Sequence, residues 1–325
     1  MPVTFIRKAE DDPVLQAAAR MEGKLRQAFV DAVAAMRGTV RMDKLTSALA
    51  RGDINQVMAV LAIDENFTAA LQGKGLEANI MSLRDALQQT YAAGAKAAMQ
   101  KLPSKISIDL SFDLLNPEAV KFLQNYSFNL IRQITDETRE SIRNVVVRAF
   151  REGGHPFEQA REMRDSIGLT ANQEAAVASY RNSLMSTDRM QETLQRSLRD
   201  GRFDRSVMSA VNNQRPLEQA QIDKMVARYR ERFIDYRAKM IARTETIRAS
   251  MAGQRELWRQ AKDQNLFDEK HTRRVWIASG DANTCPECAE LDGTSVALDE
   301  EFVGGDPPLH PLCRCSQGLE FGEAA

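Results

Sequence analysis

Residues 215–260 read RPLEQAQIDKMVARYRERFIDYRAKMIARTETIRASMAGQRELWRQ, the longest helical stretch of the chain. Arg215-Pro216-Leu217-Glu218 opens it with a proline whose fixed φ suits a first helical turn. Inside it Met225, Tyr229, Phe233, Tyr236, Met240, Thr244, Ile247, Met251 and Trp258 recur mostly at spacings of three and four, which marks one helical face. Such a stripe reads as a packing seam rather than a cofactor box. The same helix carries Arg228, Arg230, Arg232, Arg237, Lys239, Arg243, Arg248, Arg255 and Arg259. A row of cations can track DNA phosphates. Glu231, Asp235, Glu245 and Glu256 at helical spacing make a charge-paired, solvated face the simpler reading.

Upstream, the text is also helical. Thr170 and Gln173 stand at capping-box spacing ahead of a helix with Ala176, Val177, Tyr180 and Leu184 on its apolar face. Asn116-Pro117-Glu118 supplies an N-cap, a proline and an early acid for a helix that runs to about Phe150. Its buried stripe is Leu123, Leu130, Ile134, Ile142 and Val145 or Val146, and Gly153-Gly154-His155-Pro156 ends it. Before it, Ile106, Ile108, Leu110 and Phe112 alternate with Ser107, Asp109, Ser111 and Asp113, a period of two that predicts a strand. From Pro13 to about Leu102, good helix formers predict several helices, with breaks at Arg51-Gly52-Asp53 and Asp64-Glu65-Asn66. The longest of them is expected to bury Leu83, Leu87, Tyr91 and Ala98. Arg51-Gly52-Asp53 spells an integrin-type tripeptide, but a helix-ending glycine between charged residues explains it better. No internal repeat or low-complexity tract interrupts the chain.

At 325 residues, two or three domains fit. The 44 Lys and Arg against 45 Asp and Glu leave a net charge of −1, so no global field draws the chain to nucleic acid or acidic lipid. The N-terminal stretch, with Arg7, Lys8, Glu10, Asp11 and Asp12, lacks the apolar core of a secretion signal. No apolar run approaches the roughly 20 residues that span a bilayer, so the expectation is a protein made in the cytoplasm without a membrane partner.

Beyond the long helix the composition changes. Arg274-Val275-Trp276-Ile277-Ala278 predicts a short strand, and Gly, Pro and Asp then dominate. All four cysteines fall in this last segment. Cys285-Pro286-Glu287-Cys288 spaces two thiols so that a tight turn aims both at one point, half of a tetrahedral zinc site. His310-Pro311-Leu312-Cys313-Arg314-Cys315 can supply the other half. An extended chain there points Cys313 and Cys315 to one face and Arg314 to the other; a turn favours His310 with Cys313 or Cys315. Five candidates, Cys285, Cys288, His310, Cys313 and Cys315, compete for four positions of a structural Zn2+ site. The competing account is four reduced thiols that pack together. A thioredoxin-type redox pair would need a βαβ context that is absent. Hydrolytic zinc would need an open position and a base, and Glu287 and Glu290 read as solvated acids. His155 and His271 read as surface or capping residues.

Taken in order, Ile241-Ala242-Arg243-Thr244-Glu245, Gly253-Gln254, Trp258, Trp276, Cys285-Pro286-Glu287-Cys288, Leu291-Asp292-Gly293 and Pro307-Pro308-Leu309-His310-Pro311-Leu312-Cys313-Arg314-Cys315 resemble the Mu F-like minor head proteins of tailed bacteriophages, the phage head morphogenesis family. Ile167-Gly168-Leu169-Thr170, Tyr180, Gln221-Ile222-Asp223 and Tyr229-Arg230 look like the same family, so the resemblance covers roughly Gly153 to Leu319. It implies a low-copy virion protein of the head interior or portal vertex, present in host cytoplasm during assembly. Its implied partners are the portal protein, the major capsid or scaffold protein and packaged double-stranded DNA. The implied role is in head morphogenesis and DNA packaging and ejection, without catalysis. The Arg243-Thr244-Glu245 block is expected to pack the helix and contact the cysteine module. Two rivals are a toxin-type enzyme such as an ADP-ribosyltransferase, to which Mu F-like segments are sometimes fused, and a zinc-containing DNA-binding protein.

The expected fold is mainly α, with elongated helical N-terminal and middle regions and a small α+β, loop-rich, cysteine-containing C-terminal module. The expected divisions are a helical region over 1–104 that contacts portal or capsid, a strand plus helices over 105–215, and the long helix with the Cys/His module over 216–325.

Overall fold

A computed structural model describes residues 9–74, 80–266 and 268–322; Arg7 and Lys8 of the N-terminal stretch lie outside them. Twelve α-helices appear among these residues: α1 (Pro13–Thr39), α2 (Met42–Ala50), α3 (Ile54–Leu61), α4 (Thr68–Leu71), α5 (Leu83–Ala98), α6 (Ser104–Asp109), α7 (Pro117–Glu152), α8 (Pro156–Ser166), α9 (Ala171–Met185), α10 (Asp204–Asn212), α11 (Gln219–Asp263) and α12 (Pro286–Leu291). Strands β1 (Thr272–Ile277), β2 (Ser295–Ala297) and β3 (Ser316–Phe321) form one antiparallel sheet in the order β2-β1-β3. The fold is mainly α, as expected. The chain divides into two compact units, one of residues up to Ala28 with Leu83–Phe128 and Lys239 onward, the other of Phe29–Ser82 with Asn129–Ala238.

In the second unit, the local signals hold. Thr170 and Gln173 form a complete capping box at the start of α9. Gly168, at φ +90, lets the chain turn where an added Cβ would strike Val33 and Ile234. Its carbonyl accepts from Arg237, whose guanidinium also pairs with Glu137. Tyr180 of α9 stacks on Tyr229 of α11 with ring centroids 4.2 Å apart. Gly52 ends α2 at φ +70 and the Asp53 carboxylate caps α3 by accepting from the Gln56 amide, so the tripeptide is helix punctuation. The next break falls at left-handed Ala62, and Asp64–Asn66 lie inside a helical turn rather than a polar gap.

The first unit contains the one large error of sequence reading. Ile106–Phe112 is not a strand: Ser104–Asp109 is helix α6 and the chain then runs irregularly to α7. A strand needs a neighbour for its peptide groups, and none pairs here. A helical turn satisfies them locally, the Ile106 and Ser107 amides both reaching the Pro103 carbonyl and Leu110 reaching Ile106. Ile106 and Leu110, four apart, pack on the core, whereas Ile108 is 81% exposed. The longest N-terminal helix is also α1, not α5, although Leu83, Leu87, Tyr91 and Ala98 are buried as expected.

The core of this unit gathers Val14, Ala18, Ala95, Ala98, Ile247, Met251, Trp258 and Leu319. At its centre α5 and α11 touch through glycines. A Cβ on Gly94 would lie 2.3 Å from the Ser250 carbonyl oxygen, and one on Gly253 would lie 2.1 Å from that of Tyr91. Both obstacles are backbone, so no side-chain rotation relieves them. Alanine is favoured over glycine inside a helix by about 1 kcal/mol, while overpacking costs about 1–3 kcal/mol and occasionally more. Gly94→Ala and Gly253→Ala are therefore each expected to lower the urea unfolding midpoint. Gly23→Ala, in α1 with nothing within 4 Å of the new methyl, should leave it unchanged or raise it. Equal behaviour of the three variants would refute the contact.

Candidate metal centre

Strand β1 ends in a loop whose return is pinned by the Asp292 carboxylate, which accepts from the Ala278 amide at 2.8 Å. Between these points α12 begins at Pro286, and Cys285 stands at its N-cap with its sulfur accepting from the Cys288 amide at 3.3 Å. The Cys-Pro-x-Cys turn thus brings both sulfurs to one side, as its spacing predicts.

The second half arrives from 309–315. The Cys313 amide donates to the His310 carbonyl at 3.1 Å, closing a tight turn in which Leu312 takes a left-handed φ of 61°. The Leu312 amide donates to Thr244 Oγ1 of α11 at 3.3 Å, so the middle residue of the Arg-Thr-Glu block does contact the cysteine module. His310 Nδ1 lies 2.9 Å from the Pro311 carbonyl oxygen. Nδ1 therefore carries a hydrogen, and Nε2 faces the cysteine sulfurs. Nε2 is 3.2 Å from Cys285 Sγ and 3.4 Å from Cys288 Sγ, and Cys288 Sγ is 3.7 Å from Cys313 Sγ. All five sequence-predicted residues come together in two overlapping triplets, Cys285-Cys288-His310 and Cys288-Cys313-Cys315, each able to contribute to holding a metal ion. Arg314 turns the other way and pairs with Asp281.

Electrostatics divides the thiols. The hydrogen bond from the Cys315 thiol, followed by backbone amides, holds Cys313 down to about 5. Cys315 moves up through that same bond and through burial, and burial pushes Cys288 up to about 12. The Cys288 amide lowers Cys285, and the Pro311 carbonyl raises His310. Four thiolates cannot coexist at this spacing without a cation.

Around the sulfurs, Trp276, Ala278 and Phe302 complete a small buried cluster, with the Trp276 and Phe302 rings edge to face at 5.4 Å. Arg274 lies over the Phe302 ring and pairs with Asp306 at 2.9 Å. His155 is exposed ahead of α8, and His271 pairs with Asp268; neither belongs to the centre.

One determinant escaped the sequence. Immediately after Cys315, the Ser316 hydroxyl donates to Asp12, which also accepts from Lys101 at 2.7 Å and caps α1 through the Val14 amide. Lys101 Nζ also donates to the Gln317 carbonyl. The pair is almost wholly shielded from water, at 3% and 0% side-chain exposure. Removing one partner of such a pair costs about 3–5 kcal/mol because the other charge is stranded. Lys101→Met should lose stability on that scale in chemical denaturation. Adding Asp12→Asn, which keeps an acceptor oxygen for the Val14 amide and offers its amide N–H to the Ser316 hydroxyl, should restore most of the loss. A Lys101→Met variant as stable as the parent would remove this pair as an anchor of β3.

No curated protein and no solved structure matches the chain. Residues 219–318, from the first turn of α11 through the cysteine centre into β3, match the family model for phage Mu protein F like protein, so this stretch is similar to that family.

Proposed function

We propose that the chain is a minor head protein of a tailed phage, bound at or near the portal, that acts in head morphogenesis and in packaging and ejection of DNA. The match over 219–318 is the observation that carries the reading. The role is architectural rather than catalytic: the cysteine and histidine side chains converge on one another, with the sulfurs of Cys288, Cys313 and Cys315 buried under Trp276 and Phe302, which suits a closed structural centre. The partners are the portal and the neighbouring capsid or scaffold protein, and the place of action is the virion.

The ion is zinc. Arms of ~2.3 Å to sulfur and ~2.05 Å to nitrogen give tetrahedral edges of about 3.8 Å for S···S and about 3.5 Å for S···N. The 3.7 Å Cys288–Cys313 separation and the 3.2 and 3.4 Å sulfur–imidazole separations come within a few tenths of these values. His310 donating its second nitrogen to a backbone carbonyl is the usual support of a ligating imidazole.

DNA contact by α11 is less favoured. Arg228, Arg230, Arg237, Arg243, Arg248, Arg255 and Arg259 each have an acidic partner, Glu231, Glu174, Glu137, Glu22, Glu245, Asp306 and Glu256 respectively. These pairs support a packed, charge-balanced helix rather than a phosphate track.

Two measurements test the proposal. Co-expression with the portal protein of the same phage should yield a co-purifying complex, and repeated failure to bind would count against the portal assignment. Metal analysis of the purified chain should find one zinc per molecule, with a marked fall in melting temperature after chelation. A metal-free chain of equal stability would end the zinc reading and leave the head-protein reading standing.

A further inference from the structure

The first unit also holds a cleft of about 450 Å3, a size suited to a small molecule, and no cysteine lines it. Its wall is aromatic. Tyr91 of α5 and Phe122 and Tyr126 of α7 form one row of stacked rings, with centroids 5.6 and 5.5 Å apart and interplanar angles of 28° and 17°. Phe122 is 39% exposed, so the row keeps apolar surface open to a ligand.

The floor is polar, and its groups are held at one end only. Arg274 Nη1 donates to Asp306 Oδ2 at 2.9 Å and to Gln317 Oε1 at 2.7 Å, and Arg255 reaches the same Asp306 oxygen. The other ends, Asp306 Oδ1, Gln317 Nε2 and Arg274 Nε, have no hydrogen-bond partner among the described residues, and neither does Trp258 Nε1. All four side chains line the cleft. Buried polar atoms without partners are rare, because each has given up water without gaining a replacement. Here they amount to three donors and one acceptor, and the contacts at the far ends of Arg274, Gln317 and Asp306 fix their direction.

A ligand for such a site must be flat and carry both acceptors and a donor along one edge. An aliphatic chain leaves the floor unpaired, an aromatic amino-acid side chain brings too few acceptors, and a lone phosphate leaves the aromatic row bare. A nucleobase meets both demands, since it stacks on aromatic rings and its pairing edge mixes acceptors with donors. Arg248 also lines the cleft, is 42% exposed and pairs with Glu245 through Nη1. Its guanidinium carries five N–H donors, enough to hold a further anionic group. Paired arginines make a poor phosphate track along α11, but a single phosphate needs no track.

We propose that this cleft binds one nucleotide, with its base against the Tyr91–Phe122–Tyr126 row, its base edge on the Arg274–Gln317–Asp306 floor and its phosphate at Arg248. The nucleotide is either free or one unit of a single strand, since both present the same base and phosphate. This goes beyond the head-protein reading and does not rest on zinc.

Calorimetric titration of the full chain with AMP, GMP, CMP and UMP should give saturable one-site binding for at least one of them and none for inorganic phosphate. A single-stranded oligonucleotide that binds markedly tighter than its monophosphate identifies a strand as the source; equal or weaker binding identifies the free nucleotide. Phe122→Ala, at an exposed position, should weaken binding about 10-fold, within the scale of one base–aromatic stack. Arg248→Gln should weaken the monophosphate but not the nucleoside, and should flatten the salt dependence. Thermal melts of both variants separate a lost contact from a folding defect. On the unaltered chain, irradiation of the bound azido or iodo analogue of the preferred base should label Tyr91, Phe122 or Tyr126, read by mass spectrometry. Label elsewhere, affinity unchanged in both variants, phosphate binding as tightly as the monophosphate, or no saturable binding of any monophosphate or strand would each overturn the proposal.

Discussion

The Lys101 ammonium and the Asp12 carboxylate meet with almost no water around them, and the position of the cysteine centre depends on that meeting. Dehydrating two ions costs several kcal/mol each, and the attraction compensates only when their remaining hydrogen bonds are filled. Here they are filled by the Val14 amide, the Ser316 hydroxyl and the Gln317 carbonyl. Three segments remote in sequence therefore converge: the entry to α1, the chain just after α5, and the first residues of β3. Because Ser316 follows Cys315 directly, fixing it fixes the register in which β3 meets β1. The height at which the last two sulfurs enter the cluster follows from that register.

The same logic governs the charge distribution. With cations and acids nearly equal in number, the chain has no long-range field, and the arginines along α11 are paired one by one. Charge here acts at contact distance. Tyr126 shows the pattern: its hydroxyl donates to Glu245, and Arg248 pairs with that same carboxylate. Glu245 is buried yet doubly compensated, which gives the acid of the Arg-Thr-Glu block a packing role, while the threonine holds the Leu312 amide.

What could be read from the sequence follows the range over which each signal acts. The capping box at Thr170, the start of α7 at Pro117 and the Cys-x-x-Cys turn are local, and each appears where expected; the strand expected over Arg274–Ala278 forms as Thr272–Ile277. The Ile106–Phe112 alternation misled because a period of two says which residues are apolar but not whether a partner strand exists. Ile106 and Leu110 are also one helical turn apart, and the backbone settled the matter locally. The glycines at 94 and 253 carry no local meaning as mid-helix residues; their need arises only where two helices touch. Asp12 and Lys101, 89 positions apart, left no pattern at all.

The extent of the family match, 219–318, makes physical sense in these terms. The cysteine centre has a buried cluster of only Trp276, Ala278, Cys288, Phe302, Cys313 and Cys315, half of it sulfur. So few apolar side chains cannot offset the ordering of some forty loop-rich residues, at about 1–2 kcal/mol of backbone entropy each. The module must draw stability from an ion, from a larger neighbour, or from both. Helix α11 is that neighbour: Thr244 holds the turn between His310 and Cys313, Gln254 donates to the Gln317 carbonyl, and Arg255 pairs with Asp306. These contacts run along the helix at intervals of ten residues and then one. Without this part of α11 the cysteine cluster would have little scaffold to hold it, which accords with a match that runs through helix and cysteines as a single stretch.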